Sequence, residues 1–124
     1  MAFIQRHTVV VTVNASGDAV AYTAEPVNGF LLGLAYVKTD YANGVDFTIT
    51  AETGGAAIWT GTDVNASTAI YPRAQVYSTA GAGPTYDGTR QVCEPVPLAN
   101  ERIKIVVANG GVSTTGTFHF YVGG

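Results

Sequence analysis

The chain predicts an all-β fold, an antiparallel β-sandwich or jelly-roll-like barrel of about eight strands, and three observations carry that expectation. In Val45-Asp46-Phe47-Thr48-Ile49-Thr50-Ala51 every odd position is apolar and every even one polar. This is the period of a half-buried strand, whose successive side chains point to opposite faces. Short apolar or β-branched runs recur along the sequence, separated by Gly, Asn, Asp and Pro, the residues that build turns. No stretch repeats its apolar residues with a helical period, and Thr, Gly, Ala and Val favour strands and turns.

The elements follow in order. Phe3 to Val13 is a β-branched strand, and Asn14 to Asp18 reads as a hairpin loop returning through Ala19 to Thr23 before Glu25-Pro26. Gly29 to Thr60 then holds three consecutive strands joined by tight turns: Phe30 to Val37, Val45 to Ala51, and a short one ending at Trp59. Beyond Trp59 the pattern weakens. Tyr71-Pro72-Arg73 reads as a rigid surface turn before a strand over Gln75 to Ser78. Thr79 to Thr89, TAGAGPTYDGT, has three glycines and one proline in eleven residues. It is a long loop, of a length that usually serves function or mobility. Glu94-Pro95-Val96-Pro97 is extended and suits an edge or connecting strand. Ile103, Ile105 and Val107 share one face of the next strand, and Phe118, Phe120 and Val122 share one face of the last. No internal repeat of fixed period is present.

At 124 residues the chain is expected to form one domain, 1–124, with 1–13 an N-terminal strand or arm and 79–89 the glycine-rich loop. Charged residues make up 12%, about half the usual share of roughly 25%. So neutral a surface suits a protein packed against neighbours. A net charge of −3, with six basic residues spread along the chain, argues against nucleic acid as a partner. Only Arg102 and Lys104 share a strand face, and a phosphate-binding stripe needs more. No apolar run reaches 18 residues, so no transmembrane helix is expected, and the start reads as a strand rather than a signal peptide. The single Cys93 excludes an internal disulfide framework and fits a reducing compartment.

Candidate chemistry is sparse, and neither an enzyme activity nor a cofactor is expected. His7, His119 and Cys93 are the residues from which a hydrolase would be built. His119 alternates with Phe118 and Phe120 and so points away from the core, and Cys93 lacks the basic surroundings that lower a thiol pKa. Asp40, Asn43 and Asp46 surround a glycine turn without the ligand spacing of a calcium loop; Asp40, Asn43 and Gly44 are what a plain hairpin turn would use, and no metal is expected. Asn14-Ala15-Ser16 and Asn65-Ala66-Ser67 are formal glycosylation sequons that read as Asx-type turns. Trp59 reads as a core residue, although a carbohydrate-binding sandwich would use it, or paired tyrosines, as a stacking platform.

A family resemblance adds to this reading. Its segments are Tyr36 to Thr50 (YVKTDYANGVDFTIT), Trp59, Val64-Asn65-Ala66-Ser67, Tyr71-Pro72-Arg73, Leu98 to Val106 (LANERIKIV) and Gly116-Thr117-Phe118-His119. Together they resemble small virion-structural proteins of tailed bacteriophages and prophages, over most of residues 36 to 119. The resemblance implies a capsid decoration (cement) protein at the virion surface, made in the bacterial host cytoplasm. Its implied partners are the major capsid protein and further copies of itself, a trimer first; a head–tail connector or tail component is the nearest alternative. It carries over no catalytic or ligand residues. The candidate contacts are Phe3, Ile4 and Arg6 on the N-terminal strand, Tyr71 and Arg73 at the surface turn, and Thr85 and Tyr86 in the glycine-rich loop.

Overall fold

Thr, Val and Ile at alternating positions give ten strands and no helix among the described residues, 3–85 and 87–124 of the computed structural model. They are β1 (Ile4–Thr12), β2 (Ala19–Tyr22), β3 (Val27–Lys38), β4 (Asp46–Ala51), β5 (Ala57–Gly61), β6 (Thr68–Ile70), β7 (Arg73–Gln75), β8 (Cys93–Glu101), β9 (Ile103–Ala108) and β10 (Thr115–Gly123). Two antiparallel sheets result. The larger runs β1-β10-β3-β8-β7, with β6 also paired to β3; the smaller runs β2-β9-β4-β5. The all-β sandwich is therefore as expected, with two more strands than anticipated. One is β6, whose three residues are too few to display a period.

The faces follow the alternation. Val45, Phe47, Ile49 and Ala51 are buried, as are Ile103, Ile105 and Val107 opposite them in the small sheet, and Phe118, Phe120 and Val122 in the large one. These inner faces close on Leu31, Leu34, Tyr36, Val96 and Leu98 to form one core.

The connections differ from expectation. Phe3–Val13 and Ala19–Thr23 do not form a hairpin: β1 pairs with β10, and β2 with β9 in the other sheet. The turn chemistry is real, since the Asn14 carboxamide oxygen accepts the N–H groups of Ser16 and Asp18. However, Gly17, at φ +83°, backs onto the β9–β10 loop, and its carbonyl accepts the N–H of Gly110 at 2.9 Å. A turn anchored on the other loop carries the chain across the sandwich. The stretch from β3 to β5 also changes sheet after β3, because Tyr41 in that connection is buried and fills the core between the layers. The β4–β5 hairpin is formed as expected. The strand expected over Gln75–Ser78 lies instead at Arg73–Gln75. Ser78 is used in a turn, its hydroxyl accepting the N–H groups of Ala80 and Ala82.

Prolines in β8 fit their surroundings. Cys93–Pro95 pairs only with β7 and Val96–Glu101 only with β3. Each proline thus has a single neighbouring strand, and the missing N–H costs no second ladder.

Two buried tyrosines make contrasting demands. Tyr41 donates its hydroxyl to the Val11 carbonyl at 2.6 Å, whereas the buried Tyr36 hydroxyl has no partner among the described residues. An unpaired buried hydroxyl carries its desolvation cost without compensation. Tyr36→Phe is therefore expected to stabilise the protein by about 1 kcal/mol and Tyr41→Phe to destabilise it by about 1–2 kcal/mol, read from urea midpoints; equal shifts of the same sign would refute the assignment. Burial also pushes the Tyr36 phenol from 10.0 up to about 12, and Tyr41 upward as well, through burial first and then the neighbouring Tyr36. Above pH 10 the unfolded chain loses these protons while the folded protein keeps them, so stability should be level to about that pH and fall beyond it. Midpoints at pH 8, 10 and 11 test this.

Candidate functional site

The residues from which a catalytic or metal site would be built are dispersed. His119 lies on the outer face of the large sheet, where its Nδ1 is 2.9 Å from the Thr8 hydroxyl. His7 is one step along β1 and so faces the other side, and Cys93 lies at the start of β8 beside Gln75. Asp40 lies in the β3–β4 connection and Asp46 opens β4, and each accepts hydrogen bonds from another segment. Asp46 accepts the Asp63 N–H through one oxygen and the Asn109 side chain through the other. Those two bonds hold its carboxyl below the usual range, the Asp63 amide contributing most. Asp40 accepts the N–H of Thr115. Asn14 makes the expected Asx turn, but Asn65 does not: its carboxamide oxygen accepts the N–H of Gly44 across the loop, at 2.7 Å. Trp59 is half-buried, packed on Phe47 with centroids 5.5 Å apart. It lies over Gly61, where an added Cβ would meet its ring at 2.8 Å. Arg102 is engaged by both oxygens of Glu52 at 2.6 Å and stacks on Tyr22, so it is already committed to an intramolecular pair.

Most of the predicted contacts converge elsewhere. Ile4, Arg6, Thr8 and Val10 are on the outward side of β1, because Val9 and Val11 between and beyond them are buried. The registers align them in rows across the sheet. Val10 sits beside Thr117 and then Val37; Thr8 beside His119, Ala35 and Ala69; Ile4 beside Gly123, Phe30 and Pro97. Arg6 is next to Tyr121, and Tyr121 to Gly33. Gly33 has no side chain, which lets Tyr71 lie against it: a Cβ there would be 2.9 Å from the Tyr71 ring. The Arg73 guanidinium donates to the carbonyls of Leu32 and Pro72, at 3.0 and 2.8 Å.

Arg6, Tyr121, Tyr71 and Arg73 thus border one flat face that also exposes Ile4, Val10, Phe30 and Val37. No carboxylate stands on it. Glu94 is in step with the buried Val96 and Leu98 and so lies on the inner side of β8, and Glu101 reaches to the β4–β5 turn, where it accepts the N–H groups of Thr53 and Gly54. The remaining seven acidic residues lie in loops or on the small sheet. Sequence reasoning missed Val10, Phe30, Val37 and Tyr121, although the alternation that pointed His119 outward points Tyr121 the same way.

The other predicted contacts lie at the margins. Phe3 is exposed at the end of the sheet, with Gln5, Asn28 and Val122 around a shallow depression. The glycine-rich loop prolongs the β7–β8 hairpin. Val76 N–H donates to the Val92 carbonyl, Thr85 pairs with Gln91, and the Thr85 hydroxyl accepts the Gly88 N–H. Asp87 accepts the N–H groups of Thr89 and Arg90, and these bonds lower its pKa, that from Arg90 most. The loop is thus a finger with its own turns. Tyr86 lies outside the described residues.

Fold and surface together define an antiparallel two-sheet β-sandwich with one broad, acid-free sheet face. No family model matches the chain, and no curated protein matches it. Among solved structures it is similar to a chain of the cyanophage Pam1 capsid asymmetric unit, with a TM-score of 0.51 and 16% identity, over 98% of this chain and 82% of that one. At that identity the likeness is one of fold.

Proposed function

We propose that this protein is a structural component of a tailed-phage particle, specifically a capsid decoration protein that binds and stabilises the outer shell without catalysing a reaction. The observation that carries this reading is the outer face of the large sheet, where Ile4, Arg6, Tyr71 and Arg73 come together with no acidic residue among them. Aromatic and arginine side chains on an exposed apolar surface are what protein interfaces concentrate. An acid-free patch on a chain of net charge −3 favours a complementary, acidic protein surface. The fold similarity to a chain of a phage capsid asymmetric unit supports the same reading. The finger at 79–89 extends from the far edge of this sheet and supplies a second contact.

Two measurements test it. Quantitative mass spectrometry of purified particles should give this chain in near-stoichiometric ratio to the major capsid protein. About a dozen copies or fewer would assign it to the connector or tail, where ring symmetry limits copy number. In co-sedimentation with shells lacking the protein, Arg6→Glu combined with Tyr71→Ala should weaken binding by about tenfold or more. Replacing 79–89 with a short linker should do likewise, with the thermal midpoint of each variant measured alongside. Undiminished binding by both variants would refute the assigned surface.

A further inference from the structure

Sheet edges are where a β-sandwich must avoid unintended pairing, and the edges of this protein are unequal. β6 and β7 have three residues each, β2 four and β5 five, the last with a register shift in its pairing. β1 has nine residues, no proline, and a pairing with β10 that runs unbroken from Ile4 to Thr12. Arg6 is its single charge. Short length, bulges, proline and charge are the devices that protect an edge, and β1 has almost none of them. Among the described residues its side away from β10 has no neighbouring strand, which leaves alternate backbone N–H and C=O groups available to another strand.

We propose that this edge takes β1 of a second copy of the chain, antiparallel about a two-fold axis at His7, so that two large sheets become one continuous sheet. The register follows from the strand itself. Ile4 and Val10 are the two exposed apolar residues of the strand, 67% and 62%, and each is three positions from His7. Pairing about His7 sets Ile4 of each copy opposite Val10 of the other, on the same outer face, and Arg6 opposite Thr8. No like charges meet, and the favourable cross-strand apolar pair occurs twice. The paired segment runs from Ile4 to Val10 in each copy. An isologous contact of this kind closes on itself as a dimer, in place of the trimer that the family resemblance implies. The pairing rests on the strand's geometry and holds whether or not the protein decorates a shell.

Light scattering on the isolated protein at on the order of 100 µM should give twice the 12.9 kDa chain mass. Ile4→Glu with Val10→Glu places like charges opposite each other at both pairs and should give the monomer mass. Ile4→Glu with Val10→Lys places opposite charges there and should restore the dimer at low salt, with dissociation as ionic strength rises. Both positions are exposed, so the fold should tolerate either pair, which circular dichroism checks. A monomeric or trimeric unmodified protein overturns the proposal. So does a dimer that survives the two glutamates.

Discussion

Phe47→Ala is expected to lower the free energy of unfolding by about 3–5 kcal/mol, a large part of the roughly 5–15 kcal/mol that a domain of this kind has in total. Phe47 is buried near the start of β4 and touches aromatic rings from four directions. Tyr36 and Phe118 meet it edge-on, with centroids at 4.7 and 5.0 Å; Trp59 and Tyr41 lie at 5.5 and 5.9 Å. Two of these partners come from the large sheet, so the ring fastens one layer to the other. Its removal leaves a cavity that rigid strands on both sides cannot collapse. Guanidinium unfolding measures the loss, and the single tryptophan reports it locally, since Trp59 would gain water contact and its emission shift to the red. Phe47→Leu should lose markedly less. A loss below about 1 kcal/mol for the alanine variant would mean that the two sheets are held together by something other than this cluster.

Gly116→Ala is expected to cost about 2–4 kcal/mol, although alanine normally suits a strand better than glycine. Gly116 lies in β10 between Val11 and Lys38 on the neighbouring strands, and the Tyr41 ring lies directly against it. An added Cβ would come within 2.8 Å of the Tyr41 Cδ2 atom. The ring is wedged between Tyr36 and Phe47 and held by its hydroxyl on Val11, so moving it breaks a buried hydrogen bond as well as the packing. Tyr41→Ala alone should also be costly. The combination Gly116→Ala with Tyr41→Ala should cost clearly less than the two single losses summed, because the clash no longer exists. Additive losses would show that the glycine is needed for backbone reasons instead.

What the sequence made legible follows from these contacts. Alternation in Val45–Ala51, Ile103–Val107 and Phe118–Val122 identified buried faces because period two is a property of the strand alone. Which sheet a strand joins is not. The turn at Asn14–Asp18 has the chemistry of a hairpin loop, and what sends it across the sandwich is the contact of Gly17 with Gly110, more than ninety positions away. Of the candidate contacts, Ile4 and Arg6 follow from Phe3–Val13 reading as a terminal strand; that both point outward shows only in the burial of β1. That Tyr71 and Arg73 join them depends on Gly33 having room for a ring and on two carbonyls holding a guanidinium. Such juxtapositions are tertiary, and local pattern carries no trace of them. The β6 strand was hidden for a simpler reason: three residues do not complete a pattern.

The position of β10 between β1 and β3 has a consequence for how the protein is made. β1 leaves the ribosome well before its partner strand, which follows more than a hundred residues later. Throughout that interval an apolar nine-residue strand has nowhere native to bind, and β3 lacks its full-length neighbour. Folding therefore waits on late synthesis and on closing a loop of nearly the whole chain, which makes it slow. The nascent chain is most exposed to aggregation during that wait. Variants that blunt β1 with charge should accordingly give more soluble protein in cells even where the folded state gains no stability.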